Sequence, residues 1–256
     1  MNQFLQARSV PLVIAHRGSA AHAPENTLAA FVLAADQNAD AIELDAKVTR
    51  DGHVVVMHDP TVDRTTGGRG RVSDLTLAEI RQLDAGSNFD ARFKGERVPL
   101  LEEVFEAVGR RVLINVELTN YTSRGDGLEL KAIDLITRQQ LEERVILSSF
   151  NPLGLRKVKF NRPGLACGLL YSADQPFYLR HGWPAFLIPH LEAHHPHYTQ
   201  VAAAFVERLH ARGQKVNTWT VNDAAAIRAA VVAGVDGLIG DDPLLIRETL
   251  GQLGNG

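Results

Sequence analysis

The sequence predicts an α/β chain folded as a (β/α)8 barrel, a TIM barrel, with a small insertion after its second strand. Three observations carry this. Short runs rich in Val, Ile and Leu alternate with amphipathic stretches of helical length along the 256 residues. The apolar runs are near-continuous, as parallel strands buried on both faces must be. The length suits one such barrel, and a hydrophobic fraction of 45% suffices for its core. A doubly wound open sheet shares the same alternation and is the architectural alternative. The expected organisation is one barrel domain over 1–256 with an insertion at about 47–99.

In chain order, the apolar runs place strands at 12–15, 41–46, 112–118, 145–149, 167–171, 186–188, 216–221 and 237–240. Between them, helical spacing places helices at 25–36, 101–108, 128–141, 152–160, 199–211, 223–233 and 243–250. Pro24, Asn222-Asp223 and Asp242-Pro243 occupy cap or first-turn positions. A further apolar run, 53–58, follows strand two after only 49–52, far too few residues for a parallel crossover. Asp51-Gly52 is a hairpin signal, so this run is expected to turn back antiparallel. Residues 60–99 then form the bulk of the insertion, with a glycine-rich turn at Gly67-Gly68-Arg69-Gly70 and a short helix at 75–83. Roughly 40 residues are marginal for independent folding, so the insertion is not expected to be a separate domain.

Composition narrows the function. Charged residues make up 22% and the formal net charge is -3, which points to neither a nucleic-acid binder nor a polybasic membrane binder. The single cysteine, Cys167, rules out an intrachain disulfide and a cysteine-rich zinc site. It lies in the apolar run 165–171 and is expected in the core. The N-terminus lacks a charged start followed by a long apolar stretch, and no segment reads as a membrane span. The expected setting is the cytoplasm, with no stable membrane insertion. The oligomeric state is not legible in the sequence.

Chemistry-bearing residues gather at strand ends, where a barrel builds its active site. Strand one ends in His16-Arg17-Gly18, and strand three in Asn115-Val116-Glu117. Glu43 and Asp45 stand two apart on strand two, so both carboxylates share one face. The returning hairpin arm ends in His58-Asp59. Three carboxylates in one barrel mouth stay ionised together only around a cation or with raised pKa values. All-oxygen ligation suits one hard divalent ion, Mg²⁺ or Ca²⁺, with Mn²⁺ also admissible. Two nearby histidines suit general base and general acid, and Arg17 offers planar donors to phosphate oxygens.

The residue strings themselves resemble a known family. Ala15-His16-Arg17-Gly18 followed by Ala23-Pro24-Glu25-Asn26-Thr27 is similar to the opening signature of the glycerophosphodiester phosphodiesterases, a phosphatidylinositol-phospholipase-C-like barrel family. Ile42-Glu43-Leu44-Asp45, Thr49-Arg50-Asp51-Gly52, Met57-His58-Asp59-Pro60 and Asp63-Arg64-Thr65-Thr66-Gly67 continue the likeness. So do Asp84-Ala85-Gly86, Ser148-Ser149-Phe150, Trp219-Thr220-Val221-Asn222 and Gly234-Val235-Asp236-Gly237. The resemblance implies a (β/α)8 barrel that hydrolyses small-molecule glycerophosphodiesters to glycerol 3-phosphate and an alcohol with a divalent metal. It implies His16 and His58 as the catalytic pair and Glu43, Asp45 and Glu117 as metal ligands. Substrate contacts are implied for Arg17, Glu25, Asn26 and Trp219. For Glu25 the alternative is a helix-start buttress, and for Trp219 it is packing at the barrel mouth.

The sequence departs from the family at one position. The family commonly reads Glu-x-Lys at the end of strand three, with the lysine near the phosphate; this chain reads Glu117-Leu118-Thr119. Either another cation substitutes, with Arg69, Arg71 and Arg124 as candidates, or phosphate binding is weaker, or the substrate differs. His190, His194, His195 and His197 are read as a polar loop after strand six, against a transition-metal site, with His190 nearest the strand end. Two rivals to the phosphodiesterase reading follow. A lysophospholipase D-like enzyme would use an apolar lip from Phe177, Tyr178, Trp183 and Phe186, which are otherwise expected in the core. A phosphodiester-binding protein without activity would owe its loss to Thr119.

Overall fold

The computed structural model describes residues 1–121 and 125–254. Eight parallel strands close into a barrel: β1 (Leu12–Ala15), β2 (Ala41–Val48), β4 (Leu113–Leu118), β5 (Val145–Ser149), β6 (Ala166–Tyr171), β7 (Ala193–Pro196), β8 (Lys215–Thr218) and β9 (Gly237–Gly240). β1 pairs with both β2 and β9, which closes the ring and rules out the open sheet. β3 (Val54–Val56) lies antiparallel on β2, with Ala46 opposite Val56 and Val48 opposite Val54, the hairpin that Asp51-Gly52 signals.

Helices cover the outside: α1 (Leu28–Asp36), α3 (Leu101–Val108), α4 (Leu128–Arg138), α5 (Pro152–Asn161), α6 (Ala203–His210), α7 (Ala224–Val232) and α8 (Pro243–Gly254). The short α2 (Leu77–Ile80) sits in the segment after β3, closed by a capping box between Thr76 and Glu79. Asp223 caps α7 through the Ala225 and Ala226 amides, and Asn151 with Pro152 starts α5. The largest core cluster lies between helices and strands and includes Phe31, Phe105, Leu118, Leu128, Ile136 and Cys167. A smaller cluster, with Leu12, Ile14, Ala41, Leu113, Ile146, Ala193 and Ile239, plugs the barrel opposite the mouth. No described helix is long and apolar enough to cross a membrane.

Three expectations are corrected here. The strand expected at 186–188 is instead part of a 3-10 segment, Arg180–Leu187, and the strand is β7. His181 and Gly182 take positive φ and Pro184 lacks an amide proton, so the apolar Phe-Leu-Ile run cannot settle into a sheet. The four aromatics expected in the core are exposed instead: Phe177 by 73%, Tyr178 by 57%, Trp183 by 67% and Phe186 by 84%. Helix α1 also starts three residues later than expected, with Thr27 capping the Ala30 amide.

Candidate active site

The mouth begins with the turn after β1. Arg17 and Gly18 adopt positive φ, +55° and +83°. Gly18 also lies against α1, where an added Cβ would come within 2.7 Å of the Ala30 backbone. Only glycine satisfies both conditions. The turn aims the Arg17 amide at Glu43 Oε2, 3.1 Å away.

A cavity of about 290 Å³ opens at this end, lined by His16, Arg17, Glu43, Lys47, His58, Glu117 and Trp219 among others. Glu43, Asp45 and Glu117 each place a carboxylate oxygen within 4.8 Å of the other two. The β2–β4 register, with Asp45 directly opposite Glu117, brings them together. Burial, then Asp45 and Glu117, push the Glu43 carboxyl well above its usual range. Burial and then Asp45 push Glu117 up to about 8, against the opposing Tyr121 hydroxyl that donates to it. Buried carboxylates repelling one another are stabilised by a multivalent cation between them. An all-oxygen set of this kind fits a hard divalent ion.

Each histidine is backed by an aspartate. His16 Nδ1 lies 2.6 Å from Asp241 Oδ1, just beyond β9, and its Nε2 is 4.0 Å from Glu43. His58 Nδ1 lies 2.7 Å from Asp59 Oδ1. The Arg64 guanidinium bonds both Asp59 oxygens and, with His58, takes that carboxyl down to about 2 against the effect of burial. A carboxylate on Nδ1 fixes the tautomer with its proton there, which turns Nε2 into the working nitrogen.

Glu25 and Asn26 are not among the residues lining this cavity. They stand behind it. Glu25 accepts from Arg17 at 2.9 Å and from Arg64 at 2.8 Å. Asn26 Nδ2 donates to Asp45 Oδ2 at 2.8 Å. The late start of α1 makes this possible, because Asn26 at a φ of +58° turns out of helical geometry. Trp219 lines the cavity, donates from Nε1 to the His195 carbonyl at 2.8 Å and meets Phe150 edge-on at 5.5 Å, so it packs and faces the cavity at once.

Sequence reasoning missed three residues. Asp241 was legible as an acid directly after a strand end, and Tyr121 as an aromatic beside Glu117. Lys47 is the third. Its Nζ donates to Thr119 Oγ1 at 2.7 Å and to the Thr119 carbonyl at 3.2 Å. The signal was its place two residues after Asp45, the same face that Glu43 and Asp45 share. Of the candidates named for that role, Arg69 and Arg71 do not line the cavity, and Arg124 lies outside the described residues.

The histidine cluster also needs correction. His194 and His195 are on β7, not in a loop, and both are buried. His195 Nε2 meets Asn217 Nδ2 at 3.1 Å within the barrel, and His194 lies against Tyr171. Burial, then His194, lowers His195 to about 3; burial, then Arg212, lowers His194 to about 4, despite a hydrogen bond to Gln214. His190 precedes β7 and so lies toward the far end of the barrel from the mouth. Among the described residues, the only cluster of three metal-binding side chains is the carboxylate one.

On this geometry the chain falls among barrel enzymes that hydrolyse phosphate diesters. The model of the glycerophosphoryl diester phosphodiesterase family matches residues 16–245, and the chain belongs to that family. It is 46% identical over 235 residues to a glycerophosphodiester phosphodiesterase of Caldanaerobacter subterraneus, covering 91% of this chain and 94% of that one. A Bacillus altitudinis glycerophosphodiester phosphodiesterase is 36% identical over 248 residues, 93% of this chain and 98% of its own. Among solved structures, an Oleispira antarctica phosphodiesterase in complex with the product sn-glycerol-3-phosphate superposes with a TM-score of 0.86 at 30% identity, over 94% of this chain and 97% of that one.

Proposed function

We propose that this chain hydrolyses glycerophosphodiesters to glycerol 3-phosphate and an alcohol, with a divalent cation at the barrel mouth and His16 and His58 as the acid–base pair. The observation that carries this is the pair of aspartate-backed histidines in one cavity with Glu43 and Glu117, whose carboxylates lie close to each other and to that of the buried Asp45 behind them. Glu43, Asp45 and Glu117 would hold the ion, which when bound neutralises charge developing on the phosphoryl oxygens. Arg17 directs its guanidinium toward the same anion, held by Glu25 and Asp45. One histidine takes the proton of the attacking hydroxyl, from water or from the neighbouring glycerol hydroxyl, as the new P–O bond forms; in the second case a cyclic phosphate forms first and water then opens it to glycerol 3-phosphate. The other gives its proton to the departing alkoxide as the old P–O bond breaks. Asp241 and Asp59 stabilise whichever imidazole is cationic. Glu25 and Asn26 act as positioning residues for Arg17 and Asp45.

The test is release of glycerol 3-phosphate from glycerophosphocholine by metal-stripped protein, with Mg²⁺, Ca²⁺ and Mn²⁺ restored separately. Metal-dependent release is expected. Folded protein that releases none with any of the three sinks the reading. A second reading, turnover of lysophospholipids, is favoured by one observation. Tyr121 and Phe150 are shared between the catalytic cavity and a neighbouring cavity of about 760 Å³ that Leu153, Tyr178 and Leu179 also line. Lysophosphatidylcholine turned over faster than glycerophosphocholine would favour it.

A further inference from the structure

The cavity must accept a phosphate anion beside three carboxylates, and its cations are unequally committed. Arg17 is already paired with Glu25 at 2.9 Å and with Asp45 at 3.4 Å. Arg64, which does not line the cavity, is engaged by Glu25 and Asp59. Lys47 also lines the cavity, yet its two hydrogen-bond partners are neutral oxygens of Thr119. Among the described residues it makes no ion pair with a carboxylate. The threonine holds the ammonium in place without cancelling its charge, and one of its three protons is not used by Thr119.

Geometry explains why the charge can stand on this strand. The β2–β4 register runs through Asp45 with Glu117 and Ala46 with Leu118. Lys47 on β2 and Thr119, one residue past β4 with its amide still on the Ala46 carbonyl, come next, where neighbouring strands are spaced about 4.8 Å apart. A cation at either position reaches the same part of the mouth.

We infer that Lys47 is a phosphate-binding residue of this site, taking from β2 the place that a lysine at position 119 on β4 would fill. The inference rests on the phosphodiesterase reading of the cavity. It makes Thr119 a support for the ammonium rather than a defect in the site, and it removes the ground for reading the chain as an inactive binding protein.

The experiment measures affinity for sn-glycerol 3-phosphate by calorimetry, and KM and kcat for glycerophosphocholine, on the intact metal-loaded protein. Lys47→Gln keeps an amide donor for Thr119 but loses the charge. It should weaken sn-glycerol 3-phosphate by about ten- to a hundredfold, the range for a lost charge-assisted hydrogen bond, while the melting temperature stays near that of the parent. Lys47→Arg should retain most of the affinity, and Lys47→Gln combined with Thr119→Lys should recover it. Wild-type affinity and KM in Lys47→Gln would overturn the assignment. So would equal losses in the Gln and Arg variants, because Lys47 would then be a strut for β4. A parent protein that neither binds sn-glycerol 3-phosphate nor hydrolyses the diester overturns the reading of the site, and Lys47 with it.

Discussion

The two sides of the barrel handle buried ionisable groups in opposite ways. On the β1–β2–β4 side, carboxylates crowd toward the mouth and are held charged only at a cost. Glu43 and Glu117 are pushed above their usual range by burial and mutual repulsion. On the β6–β7–β8 side, His194 and His195 are buried with no carboxylate to pair with and pushed well below theirs, mainly by desolvation. The first arrangement stores unfavourable charge that a ligand relieves. The second avoids charge altogether. Both sets are buried and polar; what separates a candidate site from a structural polar core is whether the charged form has a way to be stabilised.

The sharpest way to break this contrast is to remove histidines from each side. His16→Ala and His58→Ala should each lower kcat by about 10²- to 10⁴-fold, with melting temperatures close to the parent because neither ring is part of the core. His194→Gln should leave turnover near the parent value, although it disturbs packing against Tyr171. Equal losses from His194→Gln and His16→Ala would erase the distinction.

Ion binding comes next in size. A ligand that binds only the folded state at a hundred times its Kd adds about 2.7 kcal/mol of stability. Calorimetry of metal-stripped protein should therefore show a melting temperature that rises on adding the active cation. Glu117→Gln should abolish most of that rise. A full rise in Glu117→Gln would remove Glu117 from the ligand set.

Stability against pH separates the two sides by sign. For Glu43 and Glu117, the folded pKa exceeds the unfolded one, so the metal-free folded state binds more protons in between. Stability from these groups is present below about 4.5 and lost as pH rises, for Glu117 toward about 8 and for Glu43 in the same direction. For His194 and His195, the folded pKa is depressed from 6.5, so the unfolded state binds more protons on the acid side. Their contribution is lost as pH falls through about 4 and about 3. Chelated protein melted across this range should show both limbs. Glu117→Gln should flatten only the alkaline limb and His195→Asn only the acid one. A single variant that flattens both would mean that the two sides are coupled.

The same contrast governs how far the sequence could be read. β1 and β9 were legible residue for residue, because four consecutive apolar residues buried on both faces leave little choice of boundary. Glu43, Asp45 and Glu117 were legible because acids inside apolar strands demand a partner. β7 was not. Its sequence Ala-His-His-Pro looks like a polar loop, and it is a strand only because β6 and β8 flank it and supply the burial. Nearby, Phe186-Leu-Ile looks like a strand and is not one, since local φ values at His181 and Gly182 set the path first. Lys47 lay in plain view at the third position of an alternating face. Its relevance needed the β2–β4 register, which pairs positions more than seventy residues apart.

The smallest expected effect concerns the exposed aromatics. Trp183 and Phe186 stand near β6 and β7, at 67% and 84% exposure, and line a separate open cavity of about 700 Å³ rather than the catalytic one. Side chains this exposed bury little apolar area, and surface substitutions of this kind change stability by about 0.5 kcal/mol or less. Trp183→Ser and Phe186→Ser should therefore leave both melting temperature and glycerophosphocholine turnover near the parent values. Tyr178 differs, because it lines the cavity that adjoins Tyr121 and Phe150. If the neighbouring cavity receives an acyl chain, Tyr178→Ser should lower turnover of lysophosphatidylcholine and spare that of glycerophosphocholine. Equal effects on the two substrates would leave that cavity outside substrate recognition, and the small head-group diesters would stand as the substrates that the mouth is shaped to take.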